Sequence, residues 1–289
     1  MRRLFTRATV AGFTGLLCAA GTAGVAGAAT GGPASTSVGV AQPGGPIVRA
    51  GAPGNSSVPT LSLNWSGYAA VSAKKFNYVH TRFVQPEITC TGAPNRWTSN
   101  WSGLDGFNTG TVEQDGTFAT CGGTRNLAPR YVAWYEMFPK GSVSVFRVSP
   151  GDVIDSSVRF AAGQFTLTIA DLTSGMKATK RAACSQCQRA SAESIIERPA
   201  LCRHGGPHCF ITALANFHTV TMRQNWARLQ GGPVKGIGGF LNYPIFMVTP
   251  HKGGGFISLD GVSALSGPAF SVAWERPGTI VPITLGPRR

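Results

Sequence analysis

Phe165-Thr-Leu-Thr-Ile-Ala170 places an apolar side chain at every second position, the period of a strand with one buried face. The same pattern recurs elsewhere: Val143 and Val145 alternate with Ser142 and Ser144, and Phe270, Val272 and Trp274 alternate with small residues. Turn signals separate such runs, among them Pro150-Gly151-Asp152, Thr173-Ser-Gly175, Gly231-Gly-Pro233 and Gly253-Gly-Gly255. No long stretch repeats at 3.6 residues. The one sizeable helix candidate, Ala190 to Ile196, is cut short by Pro199 and reads as a strand. The pattern predicts an all-β fold, an antiparallel β-sandwich of two packed sheets.

At the N-terminus, Arg2, Arg3 and Arg7 precede an apolar stretch that ends at Ala26-Gly-Ala28. Residues 1–28 therefore read as a signal peptide, and the protein is expected to be secreted to the extracellular space. The paired arginines also fit a twin-arginine leader, so the export route stays open. Residues 29–60 are rich in Gly, Pro, Ala, Ser and Thr with Arg49 as their one charge, the composition of a pro-segment or flexible linker. Residues 61–289 are read as the single folded domain. No later apolar run is long enough to cross a bilayer, so no membrane partner is expected.

Lysine and arginine number 26 against 12 acidic residues. The basic residues are scattered rather than interleaved with aromatics, which argues for a cationic soluble surface and against nucleic acid; a monomer is expected. Acid denaturation largely reflects protonation of paired carboxylates, and this chain has few to lose, so it is expected to tolerate acid. With Cys18 leaving in the signal, the even set Cys90, Cys121, Cys184, Cys187, Cys202 and Cys209 reads as disulfides, with sequence neighbours paired. The rival is a zinc site on Cys184, Cys187, Cys202 and Cys209 with His204 and His208 between, which export disfavours. No metal and no cofactor are expected.

Nucleophile-elbow and zinc-helix signatures are absent, and the Gly-rich stretches after Gly231 lack a phosphate-cradle context. His80, His204, His208, His218 and His251 read as surface or loop residues. Asn55, Asn64 and Asn100 each open an Asn-x-Ser glycosylation pattern. What remains is polar groups on apolar strand faces. In Thr111-Val-Glu-Gln-Asp-Gly-Thr-Phe118, alternation sets Gln114 beside Val112 and Phe118, with Glu113, Asp115 and Thr117 opposite. Burying that amide unpaired would cost about 1–3 kcal/mol, so it needs a partner or a purpose. Glu136 shares a face with Val132, Trp134 and Phe138, where it either binds a backbone amide or Arg in the core or does chemistry. Glu193 and Glu197 share a face with Ile195, either as solvated edge residues or as an acid–base pair.

Several blocks occur in a fixed order: Asn64-Trp65, Trp101-Ser-Gly-Leu-Asp-Gly106, Gln114-Asp-Gly116, Tyr131-Val-Ala-Trp-Tyr-Glu136, Gly151-Asp-Val153, Ala192-Glu-Ser-Ile-Ile-Glu197, the Cys202–Cys209 loop and Ala215-Asn-Phe217. This series resembles the eqolisins, the glutamic peptidases that cut proteins in acid. The resemblance implies a concanavalin-like jelly-roll sandwich and a secreted endopeptidase acting on polypeptides through a Gln114/Glu197 dyad. It makes Glu197 the general base and acid and Gln114 the oxyanion donor, with Trp65, Trp101, Asp105 and Glu136 lining or supporting the cleft. Ser194, Ser102 and Met137 depart from the family pattern and are expected to alter subsite shape. Two rivals remain: a jelly-roll glycoside hydrolase using two of Glu136, Glu193 and Glu197, and a non-catalytic lectin-like binder with Trp65 and Trp101 as an exposed sugar platform. A carboxylate-pair hydrolase has no need of an amide at Gln114.

Overall fold

Alternating strands pair into two large sheets and one small one in the computed structural model, which describes residues 47–49, 60–90, 96–122, 128–202 and 208–284. The expected signal peptide, most of residues 29–60, Asn55 and His204 lie outside the described residues. Numbered along the chain, the strands of the first sheet run in spatial order β1 (Thr60–Ser62), β17 (Leu241–Pro250), β2 (Trp65–Val71), β11 (Ser191–Glu197), β4 (Arg96–Leu104), β5 (Val112–Cys121), β6 (Pro129–Phe138) and β7 (Val143–Arg147). On its flanks, β14 (Ala213–Leu214) pairs with β4 and β18 (Phe256–Ser258) with β17. The second sheet runs β10 (Lys177–Ala182), β9 (Gln164–Asp171), β8 (Val153–Ala161), β3 (Phe76–Val84), β15 (Thr219–Leu229), β20 (Phe270–Trp274) and β19 (Asp260–Val262), with β16 (Val234–Gly236) beside β15. A small third sheet joins β12 (Ala200–Cys202), β13 (His208–Ile211) and β21 (Val281–Thr284).

Pairing is antiparallel throughout except for the parallel β1–β17 and β14–β4 contacts. Residues 191–197 form a strand, as the sequence predicts, and the helical content among the described residues is the 3₁₀ turn Ile237–Gly239. Phe165, Leu167 and Ile169 of β9 enter one core with Val79 and Phe83 of β3 and with Leu104, Ala192 and Ile196 of the first sheet. That cluster is the filling between the layers. A second apolar cluster, of Trp65, Ala69, Trp101, Phe107, Val112, Phe118, Trp134, Ile195 and Ile245, draws only on the first sheet and its β4–β5 connection. It covers the face turned away from the second sheet. All of β5 is therefore buried on both sides, where a sandwich strand would ordinarily have one solvated face.

Hydroxyls and amides also bind the two layers together. Ser156 Oγ on β8 lies 2.6 Å from Asp115 Oδ1 on β5 and 2.7 Å from Ser102 Oγ on β4. Ser194 Oγ on β11 and Thr81 Oγ1 on β3 each donate to Asn225 Oδ1 on β15, both at 2.6 Å. Ser102 and Ser194 thus tie the sheets together, and Met137 packs against the same inter-sheet core. The expectation that these departures shape subsites is corrected: strand parity turns all three away from the second apolar cluster.

Further expectations are settled by burial. Disulfides join Cys90 to Cys121, Cys184 to Cys187 and Cys202 to Cys209, which consumes the thiolates that the zinc reading required. His80 is not a surface residue; it is buried, with Nδ1 2.9 Å from Gln224 O and Nε2 3.2 Å from Asp155 Oδ1. Asn64 and Asn100 are buried and unavailable for glycosylation. Within the stretch read as linker, Ile47 to Arg49 is docked on the sandwich: Ile47 N donates to Gly106 O at 3.1 Å and Leu63 N donates to Val48 O at 2.7 Å.

Several carboxyls are buried without a matching cation, and burial raises their pKa. Asp115 is pushed up to about 8, partly offset by its hydrogen bond from Ser156. Asp260 is pushed up to about 7, partly offset by Ser66. Burial also holds Glu113 and Glu193 well above the usual carboxylate range, with Asp105 adding repulsion. A carboxyl raised in the folded state stabilises fully below its unfolded pKa and loses that contribution as pH climbs through the folded value. Asp155 runs the other way: burial raises it, but hydrogen bonds from His80 and Arg82 prevail and hold it at about 2, so its contribution fades as pH falls from about 4 toward 2. The melting temperature is expected to peak near pH 4 and to fall by pH 8, a loss on the order of 5 kcal/mol. Calorimetry from pH 3 to 8 measures it, and a melting temperature that is flat or rising up to pH 8 contradicts this account. Asp115→Asn is expected to flatten the fall.

Candidate active site

Strand register brings the sequence-selected polar residues onto the face of the second apolar cluster. Gln114 on β5 lies opposite Glu136 on β6, and Gln114 Nε2 donates to Glu136 Oε2 at 2.8 Å. The lone amide on an apolar face has therefore found a carboxylate, and Gln114 is one partner of Glu136. In this arrangement Gln114 spends one N–H hydrogen on Glu136 and keeps a second on the same nitrogen.

Glu197 closes β11 on the same face. Trp101 Nε1 donates to Glu197 Oε2 at 2.8 Å, and Asn64 Nδ2 approaches Glu197 Oε1 at 3.4 Å. Asn64 is itself held by Ser62 Oγ and Val48 N, which lie 3.0 and 2.7 Å from its Oδ1. β4 runs between the two groups: Gly103 pairs with Gln114 on one side and Glu193 on the other. The Gln114–Glu136 pair and the Glu197–Trp101–Asn64 group thus share one sheet face, and Gln114 and Glu197 are both fully buried there.

Glycines make this geometry possible. Gly116 pairs with Trp101 across the β4–β5 ladder. A Cβ on Gly116 would sit 2.2 Å from Asn100 O and 2.5 Å from Trp101 Cβ. The Gln-x-Gly spacing therefore keeps the indole in place over β5. Gly106, at φ +97°, leaves room for Trp65, whose ring a Cβ there would meet at 2.9 Å. Trp65 and Trp101 meet edge to face with centroids 4.9 Å apart.

Asp105 does not line the face. At φ 70° it turns its buried carboxylate toward the chain entering β11 and accepts from Gln188 N, Arg189 N and Ala190 N at 2.6–2.8 Å. It anchors the strand that carries Glu197. Glu193 is fully buried near Asp105 and Glu113 and held neutral in acid, which suits it poorly to be half of an ionised acid–base pair. Trp65 and Trp101 are fully buried, so the exposed sugar platform does not exist. Asn64 was legible in the Asn64-Trp65 block, but only the tryptophan was singled out. Arg198 was missed altogether: it is fully buried and donates to the carbonyls of Leu63, Val248 and Thr279 at 2.5–3.1 Å.

A model of the Peptidase A4 family matches residues 63–243. The chain belongs to the Peptidase A4 family. Scytalido-glutamic peptidase, solved with a transition state analog inhibitor, superposes with a TM-score of 0.62 at 24% identity over 73% of this chain and 98% of that one. SCP-B, a member of the eqolisin family solved with the tripeptide Ala-Ile-His, superposes with a TM-score of 0.61 at 22% identity over the same shares. No curated protein sequence matches. Membership makes the chain a glutamic peptidase, a hydrolase of peptide bonds, and sets aside the glycosidase and lectin readings.

Two substitutions probe the A4 geometry. Gly116→Ala is expected to cost about 1–3 kcal/mol and to lower kcat, because its methyl group displaces the Trp101 backbone; unchanged urea unfolding and activity would contradict the close approach. Asp105→Ala is expected to lose about 3 kcal/mol or more by the same unfolding measurement, since it removes an anion bonded to several backbone donors.

Proposed function

We propose that this A4 peptidase is a secreted acid endopeptidase that hydrolyses proteins with Glu197 and Gln114. Glu197 takes a proton from a water, the water oxygen attacks the scissile carbonyl carbon, and the protonated Glu197 then gives its proton to the departing nitrogen. The free N–H of Gln114 stabilises the oxyanion, and an amide remains a donor at any acidic pH. The observation that carries this reading is the hydrogen bond from Trp101 to Glu197 on the face that also bears Gln114. The bond holds one carboxylate oxygen and aims the other, toward which Asn64 also reaches.

Glu136 positions Gln114. Trp65 packs on Trp101 and supports it from β2. A single carboxylate acting as base gives no reason for activity to fall toward neutral pH. The buried Asp115, Asp260, Glu113 and Glu193 do, because their ionisation weakens the fold.

Residues 29–60 act as a pro-segment in this reading. Ile47 packs against the cluster that contains Trp65 and Trp101, and Arg49 Nη2 donates to Phe107 O at 3.1 Å. With Gln114 and Glu197 fully buried, a polypeptide reaches them only once groups over that face move. Cleavage between residues 49 and 60 would release this stretch.

Denatured casein at about pH 3–4, near the carboxylate pKa range, is the test substrate. Glu197→Gln is expected to lose about a thousandfold or more in kcat, and Gln114→Ala about a hundredfold to a thousandfold. No cleavage by the wild-type chain, before or after removal of residues 1–59, would refute the activity. Full activity in both variants would move the chemistry elsewhere. Equal activity before and after that removal would refute the pro-segment.

A further inference from the structure

One end of the sandwich gathers arginines without carboxylates to match them. Arg189, two residues before β11, is 7% exposed and lays its guanidinium over the Phe160 ring at 3.8 Å from the centroid. Its Nη1 has two long contacts, to Phe76 O at 3.5 Å and Gln230 Oε1 at 3.4 Å. Among the described residues, no carboxylate oxygen lies within ion-pair distance of it; the pairs present involve His80, Arg82 and Arg276. Arg228 bonds through Nε to Asn77 Oδ1 at 3.0 Å, leaving both Nη groups unbonded among the described residues, and Arg159 has no hydrogen-bond or ion-pair partner there. All three arginines, with Asn77, Phe160 and Gln230, line one cavity of about 310 Å³.

A buried cation without a counter-charge is costly. Arg198 shows how this fold neutralises one for structural ends, by surrounding it with backbone carbonyls. Arg189 has no such cage. The acids behind it are already engaged or neutral: Asp105 accepts three backbone N–H groups, and burial holds Glu113 protonated in acid. What is left is three forked donors lining one open volume, with the side-chain amides of Asn77 and Gln230 beside them.

We propose that this cavity is a binding site for a small tetrahedral oxyanion, sulfate or phosphate, held between the guanidinium groups of Arg159, Arg189 and Arg228. Guanidinium forks match two oxygens of such an anion at once. Asn77 and Gln230 add amide donors there, and the cavity has room for bridging waters. The site stands apart from the dyad and does not depend on its assignment. Arg189 links the two only through the backbone, since its N–H is one of the three bound by Asp105 at the entry to β11.

The full chain is melted at pH 5 in sodium sulfate and in sodium chloride of equal ionic strength, and phosphate is titrated by isothermal calorimetry. Sulfate is expected to raise the melting temperature by about 2–4 °C over chloride near saturation, with one saturable phosphate site per chain. The double substitution Arg159→Gln with Arg228→Gln, both at the partly exposed mouth, is expected to abolish the rise and the phosphate heat while leaving the melt in chloride nearly unchanged. Arg82→Gln, which removes a cation already paired with Asp155, is expected to keep both responses. Equal stabilisation by the two salts, a response surviving in the double variant, or a response lost equally in Arg82→Gln would overturn the site.

Discussion

Glu197 ends a strand fully buried between Trp65 and Ser99 on the neighbouring strands, where a carboxylate left without donors would cost far more than any one apolar contact returns. The indole of Trp101 answers that cost, and much of the local architecture serves the indole. Gly116 clears the space beneath it, Gly106 clears the space for Trp65, and Trp65 packs against its edge. Asp105, which follows directly on the last residue of β4, fastens the other end of β11 through backbone N–H groups.

A second constraint follows from burying both faces of one sheet. The inter-sheet core and the cluster that contains Trp65 and Trp101 together leave β5 no solvated side. Its acidic residues Glu113 and Asp115 therefore enter the interior, where they are stable as neutral acids. A chain with few carboxylates has placed several of them where protonation favours the fold. Acid compatibility and the amide-for-acid choice at position 114 are consistent with each other: both reduce the number of charges that burial must accommodate.

Much of this was legible in the chain. Period-two alternation predicted the sandwich, and an even cysteine set in a chain read as exported predicted neighbour disulfides, because both signals are local. Parity also put Gln114, Glu136 and Glu197 on apolar faces. The readings that failed were those needing knowledge of what packs on a strand. Ser102, Ser194 and Met137 looked like subsite residues but face the second sheet. His80 looked exposed but is enclosed by β15 and Asp155. Residues 47–49 lie in the stretch 29–60 whose composition reads as a linker, yet they dock through backbone hydrogen bonds that composition does not encode.

The amino-acid order alone determined which residues alternate, which cysteines are near one another and which polar groups stand among apolar neighbours, because each follows from spacing along one strand. Only the tertiary structure decided that Gln114 meets Glu136, that Trp101 reaches Glu197, and that among the described residues the buried Arg189 guanidinium has no carboxylate within ion-pair distance. Those contacts join strands far apart in the chain, and their partners are chosen by register and layer packing, which no single strand contains.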